Sequence, residues 1–169
     1  MIAILLNDAS FEQDIRELLM AFYPGETFTH KEEEAGEADL IVRGVRDGNS
    51  FSLDVTPVKK EAVHFALIYP DFSNRFETKN EIKQTLYRLL SAQTGRELPW
   101  GTLTGIRPTK IALTKLYDGW TDEQIETYMR ETYFTSKEKI DLSIDVAERE
   151  RRLLSTIDYE NGYSLYVGI

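Results

Sequence analysis

The sequence contains no cysteine. That excludes disulfides, Cys-ligated zinc and a thiolate-held iron–sulfur cluster within its 169 residues. Histidine is nearly as scarce. His30 and His64 are the only two, too few and too far apart in sequence to build a metal site on. There is no Gly-rich phosphate loop and no Ser-His-Asp order to support a nucleophile. Positive charge is in deficit, with 20 Lys and Arg against 29 Asp and Glu and a net charge of −9. Such a chain is a poor partner for nucleic acid or for an anionic membrane. No apolar run is long enough to cross a bilayer. The opening Met1-Ile2-Ala3-Ile4-Leu5-Leu6-Asn7-Asp8 lacks the basic region and the length of a signal peptide. These absences point to a cytoplasmic setting.

What remains is the composition of an ordinary globular protein, 41% apolar and 29% charged. A chain of this length buries roughly 70% of its unfolded surface and needs no covalent staples. Residues 2–6 form a continuous apolar run, read as a buried strand. Ser10 is a candidate N-cap for a helix carrying Phe11, Ile15, Leu18, Leu19 and Phe22, which Pro24-Gly25 stops. A short strand is expected at residues 27–29, followed by an acidic loop. Its carboxylates Glu32, Glu33, Glu34 and Glu37 fit a solvated face better than a cation site.

Residues 40–45 and 51–55 flank Asp47-Gly48-Asn49, which predicts an antiparallel hairpin, because Gly and Asn tolerate positive φ. Pro57 marks an edge or a break. Residues 63–69 read either as a further strand or as a continuation of the same one. Thr78-Lys79-Asn80-Glu81 has the pattern of a capping box, opening a helix with Ile82, Leu86, Leu89 and Leu90 on one stripe and Gly95 as its stop. The expected fold class is α+β: a small antiparallel sheet with two helices, then an all-helical segment. The boundaries are 1–97 for the α+β domain, 98–160 for the helices and 161–169 for a last strand.

In the helical segment Pro108 suits a helix start and leads Ile111, Ala112 and Leu116 to Gly119. Thr121 caps a helix with Ile125, Tyr128 and Met129, and Ser136 one with Ile140, Ile144, Ala147 and Leu154. A helix-turn-helix reading of this tract fails on charge, since Asp122, Glu123, Glu126 and Glu131 would face phosphates. The last nine residues, Asn161-Gly162-Tyr163-Ser164-Leu165-Tyr166-Val167-Gly168-Ile169, read as a turn followed by the beginning of a strand that is cut short.

One stretch stands apart: Leu98-Pro99-Trp100-Gly101-Thr102-Leu103-Thr104-Gly105-Ile106-Arg107-Pro108-Thr109-Lys110-Ile111. Arg107 and Lys110 add full charges to the partial positive charge of a helix N-terminus, and Gly105 permits close backbone approach. Thr104, Gly105, Arg107 and Lys110 are therefore candidate anion-binding residues. The competing reading is a helix cap with Trp100 packed in the core and Arg107 pinning the turn to a carboxylate.

Together with residues 162–169, this stretch resembles the coproporphyrinogen dehydrogenase family, the radical-SAM, oxygen-independent coproporphyrinogen III oxidase-like proteins. The resemblance implies an N-terminal accessory region of an oxidoreductase in porphyrin and haem biosynthesis. Residues 161–169 would be the first strand of a radical-SAM barrel, the partner of this region in the same chain. The parent's [4Fe–4S] cluster and S-adenosylmethionine would sit on that barrel. This chain alone would hold neither and would be inactive. Its anion site would meet the carboxylates of a porphyrinogen substrate. The alternatives are an RNA-binding or a protein-docking module of another radical-SAM enzyme.

Overall fold

A computed structural model of the chain describes residues 1–58, 63–105 and 107–155. Ile106 and the strand expected at 161–169 lie outside the described residues. Five strands form one sheet in the order β2-β1-β3-β4-β5. They are β1 (Ile2–Leu6), β2 (Phe28–Thr29), β3 (Leu40–Asp47), β4 (Ser50–Pro57) and β5 (His64–Ile68). Five α-helices accompany them: α1 (Glu12–Phe22), α2 (Arg75–Thr94), α3 (Thr109–Tyr117), α4 (Asp122–Tyr133) and α5 (Lys137–Leu154).

The α+β class holds, but the sheet is mixed rather than antiparallel. β1 runs parallel to both β2 and β3, while β3–β4 and β4–β5 are antiparallel. The physical reason is α1, which carries the chain back across the sheet between β1 and β2. A crossover of this kind returns the next strand in the same direction. The hairpin is as expected, with Gly48 at φ 56° in the turn between β3 and β4. Residues 64–68 form a separate strand, at the edge of the sheet.

Alternation along the strands places Ile2, Ile4, Leu40, Val42, Phe51, Leu53 and Val55 on one face. Against it lie Ile15, Leu18, Leu19 and Phe22 of α1 and Ile82, Leu86 and Leu90 of α2. Each such side chain contributes about 1.5–3 kcal/mol when fully buried. Leu90 is fully buried, whereas Leu89, expected inside, is half-buried at the cluster margin. The opposite face is covered near β1 by the short 3-10 helix Glu32–Glu37, through Ala35 and Ala38. The acidic loop is thus ordered, with Glu32 paired to Arg43 and Glu34 to Lys31.

Two caps differ from expectation. Asp8, not Ser10, accepts the first free backbone N–H, ahead of a 3-10 turn that leads into α1. α2 begins at Arg75, capped by Asn74, which accepts the Glu77 N–H. Thr78 lies inside the helix and donates its hydroxyl to the Asp71 carbonyl. Asn74 is an equally good cap four residues earlier, and the turn at residues 71–74 selects it. Gly95, at φ 67°, ends α2 as predicted.

α3, α4 and α5 enclose a second cluster built on Ala112, Leu116, Ile125, Met129, Ile140 and Ala147. Thr121 and Gln124 form a reciprocal capping box at the start of α4. Ser136 occupies the cap position of α5 but makes no side-chain cap bond.

Candidate functional site

The conspicuous stretch at 98–111 folds as a junction, and its two halves do different work. Residues 98–103 lock onto the turn between α4 and α5. The Thr102 N–H donates to the Tyr133 carbonyl at 2.8 Å, and the Ser136 N–H to the Pro99 carbonyl at 2.9 Å. Gly101, at φ 57°, lies so close to the Tyr133 and Phe134 backbone that a side chain there would collide. The Leu98 N–H donates to the Tyr87 hydroxyl on α2 at 3.0 Å. Trp100 is half-buried and belongs to neither apolar cluster, so it is no core anchor. Arg96, just before this stretch, donates from its guanidinium to the Phe22 carbonyl at the end of α1.

Thr104 ties the second half to the sheet helices. Its hydroxyl accepts from Lys83 Nζ and donates to Glu17 Oε2, both at 2.8 Å. Lys83 is a buried cation, 6% exposed. Burial holds its pKa below the ordinary lysine value, with Asp14 and Glu17 opposing that shift. Burial pushes the Glu17 carboxyl up, but bonds from Thr104 and Gln13 prevail and hold it below the usual range. Thr104 is thus a structural link between α1 and α2 rather than an open anion contact.

The buried lysine carries a prediction with a definite sign. A lysine whose pKa is lowered by folding binds more protons in the unfolded chain, so its penalty lifts as pH rises towards the ordinary lysine value. Stability of the wild type relative to Lys83→Met should therefore increase from pH 7 towards pH 10 in urea titrations. Parallel curves for the two proteins would show that Lys83 is not a strained cation.

Gly105 is exposed with open space around it. Arg107 is exposed and pairs with Glu150 of α5 at 2.8 Å. An exposed pair of this kind contributes about 0.2–1 kcal/mol. Arg107 therefore pins the turn weakly while keeping most of its surface in solvent.

Arg107 and Lys110 meet at a groove of about 330 Å³ between α3 and α4. Lys115 supplies a third cation to its lining, and Phe76, Tyr128 and Tyr133 supply rings. No carboxylate is among the residues lining it. Lys110 is exposed, and its ammonium makes no ion pair with the described residues. The Lys115 ammonium lies 4.2 Å from the centre of the Trp120 ring and 4.9 Å from that of Tyr128. Tyr128 and Tyr133 approach hydroxyl to hydroxyl at 3.4 Å. Burial, and then this contact, raises the Tyr133 pKa, so the phenol stays protonated. The groove brings together two of the four candidate residues, Arg107 and Lys110. Lys115 counts in the sequence as part of the positive run with Arg107 and Lys110, and Tyr128 as a residue of the helix after Thr121, but neither is a site candidate there; Phe76 and Tyr133 are not singled out at all. Only the one-face spacing of 107, 110, 111, 114 and 115 along a helix hints at Lys115.

His30 follows β2 and His64 lies on β5, at opposite edges of the sheet. His30 approaches Glu12 at 3.5 Å, and His64 opens the edge strand β5. Among the described residues there is no group of three or more metal-ligating side chains, and no helix is long and apolar enough to cross a membrane.

No protein-family model matches the chain, and no solved structure matches it. A curated protein does. The oxygen-independent coproporphyrinogen-III oxidase-like protein HemZ of Bacillus subtilis (strain 168) is 32% identical over 118 residues. By homology, the chain belongs to the coproporphyrinogen-III oxidase-like family. The match takes in 68% of this chain and 23% of HemZ, so the chain spans less than a quarter of that relative's length. The similarity supports the N-terminal region of the family, as the resemblance at 98–111 implied. Within that region the junction residues Gly101, Thr102 and Thr104 hold the architecture, and the groove beside them is the candidate for ligand contact.

Proposed function

We propose that this chain is the N-terminal accessory region of a radical-SAM oxidoreductase acting on a porphyrinogen, in which Arg107 and Lys110 contact substrate carboxylates. The parent reaction is oxidative decarboxylation of substrate propionates to vinyl groups. The [4Fe–4S] cluster and S-adenosylmethionine belong to a barrel outside this chain, which supplies neither thiolate nor catalytic residue. The observation that carries the proposal is the charge of the groove. In a chain of net charge −9, Arg107 and Lys110 converge on a groove with no carboxylate among its lining residues, although Arg107 shares its guanidinium with Glu150 of α5 at one side. Arg forks and Lys ammoniums are the side chains best suited to grip carboxylates.

The test is kinetic and uses the full-length protein. Arg107→Ala and Lys110→Ala should each raise the substrate KM by about tenfold or more, since a charge-assisted hydrogen bond is worth about 1.5–3 kcal/mol. The value of kcat should change little, because binding far from the reacting atoms is uniform binding. Unchanged kinetics in both variants would reject the proposal.

A second reading, protein docking, has its own observation. Phe65 and Leu67 on the edge strand, with Val63 and Tyr69 flanking it, alternate in sequence and are all exposed. An apolar stripe on an open strand edge suits a protein contact and not RNA, which needs cations beside its aromatics. Phe65→Glu should leave substrate KM unchanged while weakening that contact. A KM effect as large as that of Lys110→Ala would remove the distinction between the two surfaces.

A further inference from the structure

The two edges of the sheet are finished differently. At one, β2 spans only Phe28–Thr29 and is followed by the ion pair of Lys31 with Glu34. At the other, β5 runs from His64 to Ile68 and contains no Lys, Arg, Asp or Glu. Among the described residues it has a neighbouring strand on one side only. Its register with β4 is unbroken from His64 to Ile68, so no bulge turns it away. A bare row of N–H and C=O groups templates another strand, and natural edges are guarded against this by shortness, charge, proline or a bulge. The β2 edge is short and charged. Along β5 itself none of these guards is present, and Pro70 stands only beyond Tyr69.

The sequence of this edge is complementary to itself. In β4, Phe51, Leu53 and Val55 belong to the helix-covered face, and they stand opposite Ile68, Ala66 and His64. Phe65 and Leu67 therefore lie on the open face, where Phe65 is 60% exposed and Tyr69, just past the strand, 71%. An antiparallel copy with Ala66 facing its own counterpart sets Phe65 opposite Leu67, Val63 opposite Tyr69 and His64 opposite Ile68, each pair occurring twice. Aromatic rings opposite aliphatic side chains are favourable cross-strand pairs, and no like charges meet. A slip of one residue would set the open face of one copy level with the helix-covered face of the other. A slip of two residues either way shortens the matched stretch. The exposed side chains of two such edges offer roughly 1,000 Å² in total, the scale of a transient interface rather than a permanent one.

We propose that two copies of this chain pair β5 with β5, antiparallel, about a two-fold axis at Ala66, joining two five-stranded sheets into one of ten. The inference rests on the second reading above, that this edge makes a protein contact, and it names the partner as the chain itself. The interface is isologous: each residue meets in the second copy the residue that meets it in return. A two-fold axis perpendicular to the sheet keeps α1 and α2 of both copies on one side. On the other side Val63, Phe65, Leu67 and Tyr69 of the two copies form one apolar band. Each copy carries a net charge of −9, so two copies repel at long range and the contact falls where the surface is uncharged. Screening that repulsion with salt tightens the dimer, the reverse of a contact made by ion pairs.

The test uses the 169-residue chain itself, by analytical ultracentrifugation over a range of concentrations. A monomer–dimer equilibrium is expected with a Kd on the order of tens of micromolar, and added sodium chloride should lower it several-fold. Phe65→Glu and Leu67→Lys should each weaken the dimer at least tenfold. Mixing the two variants should restore it, because position 65 of one then faces position 67 of the other with opposite charge. The register is read by cross-linking, which the absence of cysteine makes clean. Across an antiparallel pair the Cα atoms lie about 4.5–5.5 Å apart, within disulfide reach, so Ala66→Cys should give a covalent dimer on air oxidation. His64→Cys, whose counterpart lies four positions from the residue it faces, should not. Cross-linking of both variants alike, or no recovery on mixing, overturns the proposed pairing. A wild type that stays monomeric overturns the second copy, and hydrogen exchange then separates the two readings. If the β5 amides not bonded to β4 exchange slowly in the monomer, the chain's own residues cover the edge and the docking reading falls too. If they exchange fast, the edge remains for a different protein and only the second copy is rejected.

Discussion

Gly101→Ala is expected to cost about 3 kcal/mol or more. Two independent penalties combine. The backbone at Gly101 sits at φ 57°, which an L side chain adopts with strain. The added carbon would overlap the Tyr133 carbonyl oxygen and lie 2.6 Å from the Phe134 carbonyl carbon. Neither neighbour is a flexible side-chain end, so the backbones must part. Parting them breaks the bond from the Thr102 N–H to Tyr133 and loosens the one from Ser136 to Pro99. Urea unfolding monitored by circular dichroism should show a lower midpoint with an unchanged slope. Gly105→Ala, in open space, is the control and should be nearly neutral. Similar midpoints for Gly101→Ala and wild type would mean that the junction is not held as described.

Phe51→Ala should destabilise the protein by about 3–5 kcal/mol. The side chain is fully buried on β4, packs edge-on to Phe11 at 6.1 Å between ring centres, and has no route by which the cavity could collapse without moving the sheet. The informative part is the shape of the transition. Sheet and helices have separate apolar clusters, but several contacts cross between them. Gln84 donates to the Thr132 carbonyl at 2.8 Å, Tyr87 packs on Phe134 at 5.5 Å, and Arg88 lies over Phe134 at 4.8 Å. The chain of Lys83, Thr104 and Glu17 adds a further tie. Near-ultraviolet signals from Trp100 and Trp120, both outside the sheet, should therefore disappear in the same transition as the sheet signal. Survival of the tryptophan signal beyond loss of the sheet would divide the protein into two cooperative units near residue 97.

The sequence made the local features legible and the non-local ones obscure. The β3–β4 hairpin is announced by Gly48 and Asn49, because the turn and both strands lie within a few residues of one another. The parallel pairing of β1 with β3 has no such marker, since about 30 residues intervene and only the packing of α1 decides the direction. Thr78-Lys79-Asn80-Glu81 satisfies the capping pattern as well as many true helix starts do, and it was displaced by Asn74 through a turn whose geometry depends on Asp71. The candidate site shows the same division. Arg107 and Lys110 are visible because they share one short motif. The rings at 76, 128 and 133 come from α2 and α4, and no periodicity along α3 could place them beside it. Lys83 looks like an ordinary surface lysine in sequence, and only the crossing of the Thr104 loop over α1 and α2 buries it.

The clasp between residues 98–103 and the turn at 133–136 has a topological consequence. The chain leaves the clasp, runs through α3 and α4, and returns to the place it left, so that the excursion is closed by hydrogen bonds at its base. A closed excursion can change length without shifting what lies on either side. The entropic cost of lengthening a loop grows only logarithmically, so added residues at the turn 118–120 weigh little. That freedom is confined to the turn: α3 and α4 both pack on α5 through Ala112, Leu116, Ile125 and Met129, so a change of length there leaves the helices of the groove on their common core, with Gly101 as the fixed point of the excursion.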